Sequence, residues 1–77
     1  MKIMVKVYSE DASYGVNHIL CDVRDIYHDF ESDRLVLVTG EKKVSVDVMY
    51  ASSVKIMEEA MKTDSLDLTQ YCAKYAD

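Results

Sequence analysis

The sequence predicts an α+β fold, a small antiparallel sheet of three or four strands with a C-terminal helical segment packed on one face. Three observations predict it. Ile3, Val5 and Val7 alternate with Met4, Lys6 and Tyr8; Val44, Val46, Val48 and Tyr50 alternate with Ser45, Asp47 and Met49; beyond residue 52 the apolar spacing turns helical. A period of two marks a half-buried strand and a period near 3.6 an amphipathic helix.

The N-terminal alternation gives a first strand. Residues 9–15 are polar and end in Gly15, which reads as a turn or loop. Residues 16–30 support two readings. Val16, Ile19, Leu20, Val23, Ile26, Tyr27 and Phe30 fit one face of a helix, yet the residue types there are poor helix formers. The strand reading takes Ile19, Cys21 and Val23, then Ile26, His28 and Phe30 after a bulge. It is preferred because residues 30–35 look like a hairpin connection of about four residues.

Residues 35–39 form a compact apolar strand expected to be buried on both faces. Residues 40–43 make a turn, and residues 44–50 complete a β-hairpin. Val54, Met57 and Met61 then fall on one helix face after a Ser52 or Ser53 cap. Leu68, Tyr71, Cys72 and Tyr75 suggest a second helix, capped by Asp64 with Asp67 at the third position. A short closing strand over residues 54–57 is the alternative.

Seventy-seven residues are enough for one domain and too few for two cores. At 49% hydrophobic and 30% charged residues, the chain is too apolar for disorder and too polar for a membrane protein. Lys6 interrupts the first apolar run well short of a signal-peptide core of roughly 7–15 residues, so a cytoplasmic location is expected. Cys21 and Cys72 fit two reduced thiols better than a disulfide framework.

The net charge is −5, and all of it sits in residues 9–33. Glu10, Asp11, Asp22, Asp25, Asp29, Glu31 and Asp33 stand there against Arg24 alone. A basic patch of the kind that phosphate binding needs is missing, so direct nucleic-acid binding is not expected.

His18, Cys21, His28 and Cys72 are the residue types of a zinc site, but their spacing lacks the paired ligands of Cys-His modules, and no metal or other cofactor is expected. No glycine-rich elbow or phosphate loop surrounds the Ser, Cys and His residues, and an enzyme is not expected. The acids carry more. If residues 29–33 are extended, Asp29, Glu31 and Asp33 project from one side about 6.5–7 Å apart, close to phosphate spacing. Asp22 and Asp25 add charge upstream, and Tyr14 and Tyr27 flank the segment as interface anchors.

The expected function is therefore non-enzymatic: a module that masks a protein partner through an acidic, Tyr-containing surface. The sharper form is a small inhibitor, of phage or mobile-element type, that occupies the basic nucleic-acid-binding groove of its partner. The inhibitor is expected as a monomer or discrete homodimer; the alternative is a structural protomer that builds larger assemblies by pairing through an exposed edge of the Val-rich hairpin.

Overall fold

A computed structural model describes residues 2–11 and 14–76 of the chain. The order of elements is β1 (Ile3–Asp11), β2 (Tyr14–Val23), β3 (Asp25–Asp29), β4 (Arg34–Val38), β5 (Lys43–Val46), α1 (Tyr50–Ala60) and β6 (Ser65–Ala76). The class is α+β, but the sheet is larger than expected and mixed. Its six strands run in the order β2-β1-β6-β5-β4-β3, with β1 and β6 parallel and every other neighbouring pair antiparallel.

The two outermost strands, β2 and β3, are separated in the chain by Arg24 alone. They are two halves of one bent strand, so the sheet curls back on itself toward a barrel. The bend follows a bulge: Ile3 pairs with Val23 but Val5 with Leu20, so β2 spends three residues where β1 spends two. Arg24 N–H then donates to Val38 O at 2.8 Å, and the chain has crossed to β4. Strand β6 makes the complementary crossing. Its first half pairs with β1 through Leu68, and its last residues pair with β5.

Ile3, Val5, Val7, Leu20, Val23, Leu35, Leu37, Val44, Val46, Leu66 and Leu68 meet in a single interior cluster. The alternation read in β1 is thus the inward face of the sheet. Leu35, Val36 and Leu37 are all buried, as their unbroken apolar run implies.

Three expectations change, and the preferred extended reading of residues 16–30 is met. Residues 9–15 are mostly strand, since β1 runs to Asp11 and β2 starts at Tyr14; residues 12 and 13 lie outside the described residues. Residues 16–29 are extended on both sides of Arg24, as preferred, but Leu20 and Val23 face inward while Ile19 and Cys21 are exposed, because the bulge falls between Leu20 and Val23. The strand after the turn stops at Val46, and Tyr50 already opens α1. The C-terminal segment is not a helix but β6. Leu66 and Leu68 alternate with Asp67 and Thr69, and the strand fills the gap between β1 and β5 that local periodicity could not reveal. Asp67 accepts from Thr69 N at 3.0 Å and Thr69 Oγ1 at 2.7 Å at the kink, instead of capping a helix.

Helix α1 packs against β3, β4 and β6. It buries Ser53 and Ala60, with Ile56 and Met57 against the core, while Met61 is exposed. The buried face is rotated by about one residue, or ~100°, from the Val54–Met57–Met61 stripe. Neither serine caps it: the N-cap is Met49, which makes no side-chain cap bond.

Candidate functional site

The acidic segment is placed by β3 and the loop that follows it. Along β3 the residues alternate, with Ile26 and His28 inward and Asp25, Tyr27 and Asp29 outward. Three of the candidate residues therefore share one outward column, at i, i+2 and i+4, with neighbours about 6.5–7 Å apart. Opposite Asp29 stands Arg34, but its guanidinium reaches away across the sheet. It donates to Ser45 Oγ (3.0 Å), Ser45 O (3.3 Å) and Cys72 O (3.4 Å). The cation straps β4 to β5 and β6 and lies 3.9 Å from Asp47 Oδ1, turned away from the Asp29 that it faces across the strand pair.

Residues 30–33 form the four-residue hairpin loop read from the sequence. Asp29 organises it, accepting from Glu31 N at 3.1 Å and from Ser32 Oγ at 3.0 Å. Asp33 closes it at φ 54°, a left-handed conformation that Asp tolerates better than most residues. Glu31 and Asp33 thus sit on a tight turn, and the straight row of Asp29, Glu31 and Asp33 is not formed.

Beneath the loop, His28 ties three elements together. Its Nε2 lies 2.8 Å from Asp33 Oδ1 and its Nδ1 2.8 Å from Ser53 Oγ in α1. An ionised carboxylate only accepts, so Nε2–H donates to Asp33 and, in the neutral ring, Nδ1 accepts from the Ser53 hydroxyl. Ser, His and Asp are the residue types of a nucleophilic triad, but Ser53 is 0% exposed and cannot meet an external substrate. The arrangement works as a clasp that fixes the loop and the start of α1.

The imidazole is flanked by two rings that sequence reasoning did not single out. Phe30 and Tyr50 lie 5.0 and 5.3 Å from it, both edge-on, and 5.0 Å from each other. Phe30 is nevertheless 71% exposed, Met49 67% and Tyr50 49%. Apolar side chains this exposed and adjoining mark a contact surface more strongly than single exposed residues do. One signal was available: Phe30 is the sole Phe, and it falls inside the hairpin connection, where a polar residue is usual.

The remaining candidates lie apart. Asp22 is on β2 beyond the Arg24 bend and is engaged by Arg24, whose Nε and Nη2 both donate to Oδ2, at 3.0 and 2.8 Å. The Arg24 hydrogen bond holds the Asp22 carboxyl below its ordinary range and raises the guanidinium in turn. The other oxygen, Oδ1, is covered and has no hydrogen-bond partner among the described residues. Tyr14 opens β2, at the end of the strand away from Arg24, and its side chain is outside the described residues.

Cys21 and Cys72 are free thiols. Among the described residues, no group of three or more His, Cys, Asp or Glu side chains is arranged to hold a metal ion, and no helix is long and apolar enough to cross a membrane. Two open grooves of about 500 and 490 Å³ lie away from the acidic loop. One runs between β2 and the β4–β5 turn, the other between α1 and β6. Comparison of the chain with family models, with curated proteins and with solved structures finds no match.

Proposed function

We propose that the protein is a non-enzymatic binding module that masks a protein partner through the surface formed by β3, the loop at residues 30–33 and the start of α1. The observation that supports this most is the exposed Phe30, packed edge-on against His28 and tilted against Tyr50, in the same loop as Glu31 and Asp33 and next to the acidic column of β3. A rigid aromatic with a charged rim suits an interface anchor, because little side-chain entropy remains to be lost on binding. The rim selects a partner with a basic surface around an apolar recess. Such a recess fits an inhibitor of a nucleic-acid-handling enzyme, although a folded loop, unlike a straight row of carboxylates, supplies no phosphate-like spacing.

Affinity capture from the native host lysate tests the reading, with the variants chosen to spare the structural acids. Asp29 and Asp33 hold the loop, so charge reversal belongs at Asp25 and Glu31. Asp25→Lys/Glu31→Lys and, separately, Phe30→Ala should each lose the captured partner, with a melting temperature close to that of the parent. For Phe30→Ala the loss should reach about 2 kcal/mol, roughly thirtyfold in Kd. Capture that survives both changes would rule out this surface.

A further inference from the structure

The acidity of residues 9–33 is interrupted. From Tyr14 to Cys21 the chain contains no Asp, Glu, Lys or Arg and no Pro, and these eight residues make up most of β2. Strand β2 is outermost in the sheet: it pairs with β1, and among the described residues no strand lies on its other side. Natural edge strands are ordinarily shortened, charged or interrupted by Pro to prevent pairing with another chain. The opposite edge follows that rule, since β3 is five residues long with an Asp at each end. Strand β2, ten residues long, carries its bulge and its acid, Asp22, only at its C-terminal end, and residues 14–19 have neither.

We propose that the outer edge of β2 is a self-association surface, on which the β2 of a second copy adds antiparallel to continue the sheet through the dimer. The occupant follows from charge. Two copies of a chain of net charge −5 repel one another overall, and residues 14–21 of β2 can meet their counterparts without placing carboxylates or Lys and Arg side chains opposite one another. A two-fold axis through the strand makes the contact self-complementary. On its outward side β2 presents Ile19, 57% exposed, beside Met4, 46% exposed, and a second strand would cover the isoleucine of each copy. The hairpin arm supplies the room. Strand β6 leaves β1 after Tyr8, so Ser9, Glu10 and Asp11 pair with β2 alone and the arm extends past the end of the shared sheet. This surface is separate from the loop at residues 30–33, and a dimer leaves that loop free to bind.

Sedimentation velocity across the micromolar range tests the inference, read on the parent chain, Ile19→Lys, Asn17→Lys and Phe30→Ala. Ile19 and Asn17 are exposed on the outward side, so lysine at either site leaves the monomer fold intact while setting like charges near one another across the dyad. The parent should dimerise, and each lysine variant should raise the dimer dissociation constant about tenfold or more. Phe30→Ala should dimerise as the parent does. Hydrogen exchange should show amides of β2 that gain protection as protein concentration rises. A parent that stays monomeric overturns the proposal, as does a dimer indifferent to both lysines. If β2 of a monomeric parent becomes protected only on adding an extended peptide, the edge takes a foreign strand and the second-copy assignment is wrong.

Discussion

The bent strand formed by β2 and β3 carries two surfaces of opposite character on either side of Arg24. Before the bend, residues 14–21 contain no Asp, Glu, Lys or Arg, and the strand is long and outermost in the sheet. After it, β3 is short, its outward column is acidic, and its inward His28 is fastened to α1. The difference teaches what each half can recognise. The β2 edge offers backbone hydrogen bonds, which any extended strand can satisfy, and it discriminates chiefly through what it fails to repel. The acidic end offers a fixed aromatic with a charged rim, which discriminates by shape and sign.

The sharpest way to break this contrast is to unfasten the acidic end. His28→Ala removes a buried ring whose side chain is 1% exposed, and it strands the Ser53 hydroxyl in the interior. The cost should be about 2–4 kcal/mol in urea unfolding, and Phe30 should lose its fixed position. A cost below about 1 kcal/mol would mean that the clasp does not hold loop and helix together. Ser53→Ala deletes one of the two bonds and keeps the ring, and about 1–2 kcal/mol is expected in the same measurement. Partner capture should fall for His28→Ala while dimerisation through β2 persists, which separates the two surfaces functionally.

Gly15→Ala probes the other half. A Cβ at Gly15 would overlap the phenol end of Tyr8, which lies across the glycine from β1. The ring can swing aside, so about 1 kcal/mol of destabilisation should suffice, with no change in partner capture. Loss of capture would show that the halves are coupled.

The smallest effect is on pH. The Arg24 hydrogen bond depresses Asp22, and the Thr69 hydroxyl and amide depress Asp67. Each is a stronger acid folded than unfolded, so the stability each provides is complete above the unfolded value of about 4 and is lost as pH falls through the lower folded value. Asp67 is exposed and Asp22 partly so, and the fall in melting temperature below pH ~4 should be shallow. Asp22→Asn should flatten it slightly, and an unchanged profile would mean that the Arg24 pair stabilises nothing.

Much of this was legible in the residues themselves. The alternation of Ile3, Val5 and Val7 fixed the inward face of β1, and Leu35–Leu37 against Val44–Val46 fixed the central hairpin, because both signals are local and periodic. The preference of residues 16–30 for strand followed from their β-branched and aromatic side chains and from the four-residue connection after Asp29. The acids were identifiable as a count, and Asp25, Tyr27 and Asp29 do share a face, because strand geometry puts alternate residues on one side.

What only the tertiary structure decided is long-range. Ser65–Ala76 reads locally as helix and folds as a strand, because β1 and β5 each need a neighbour that only β6 can supply. Phe30 could belong to a core by its chemistry, and it is exposed because the loop turns it outward against Tyr50. Ser53 could cap a helix by its type, and it is buried because His28 needs a partner. Residues 14–21, without Asp, Glu, Lys or Arg, were visible from the start inside an acidic window. That they form an outer edge depends on which strands pair, and pairing between distant segments is set by burial of the whole core, which no short window of sequence encodes.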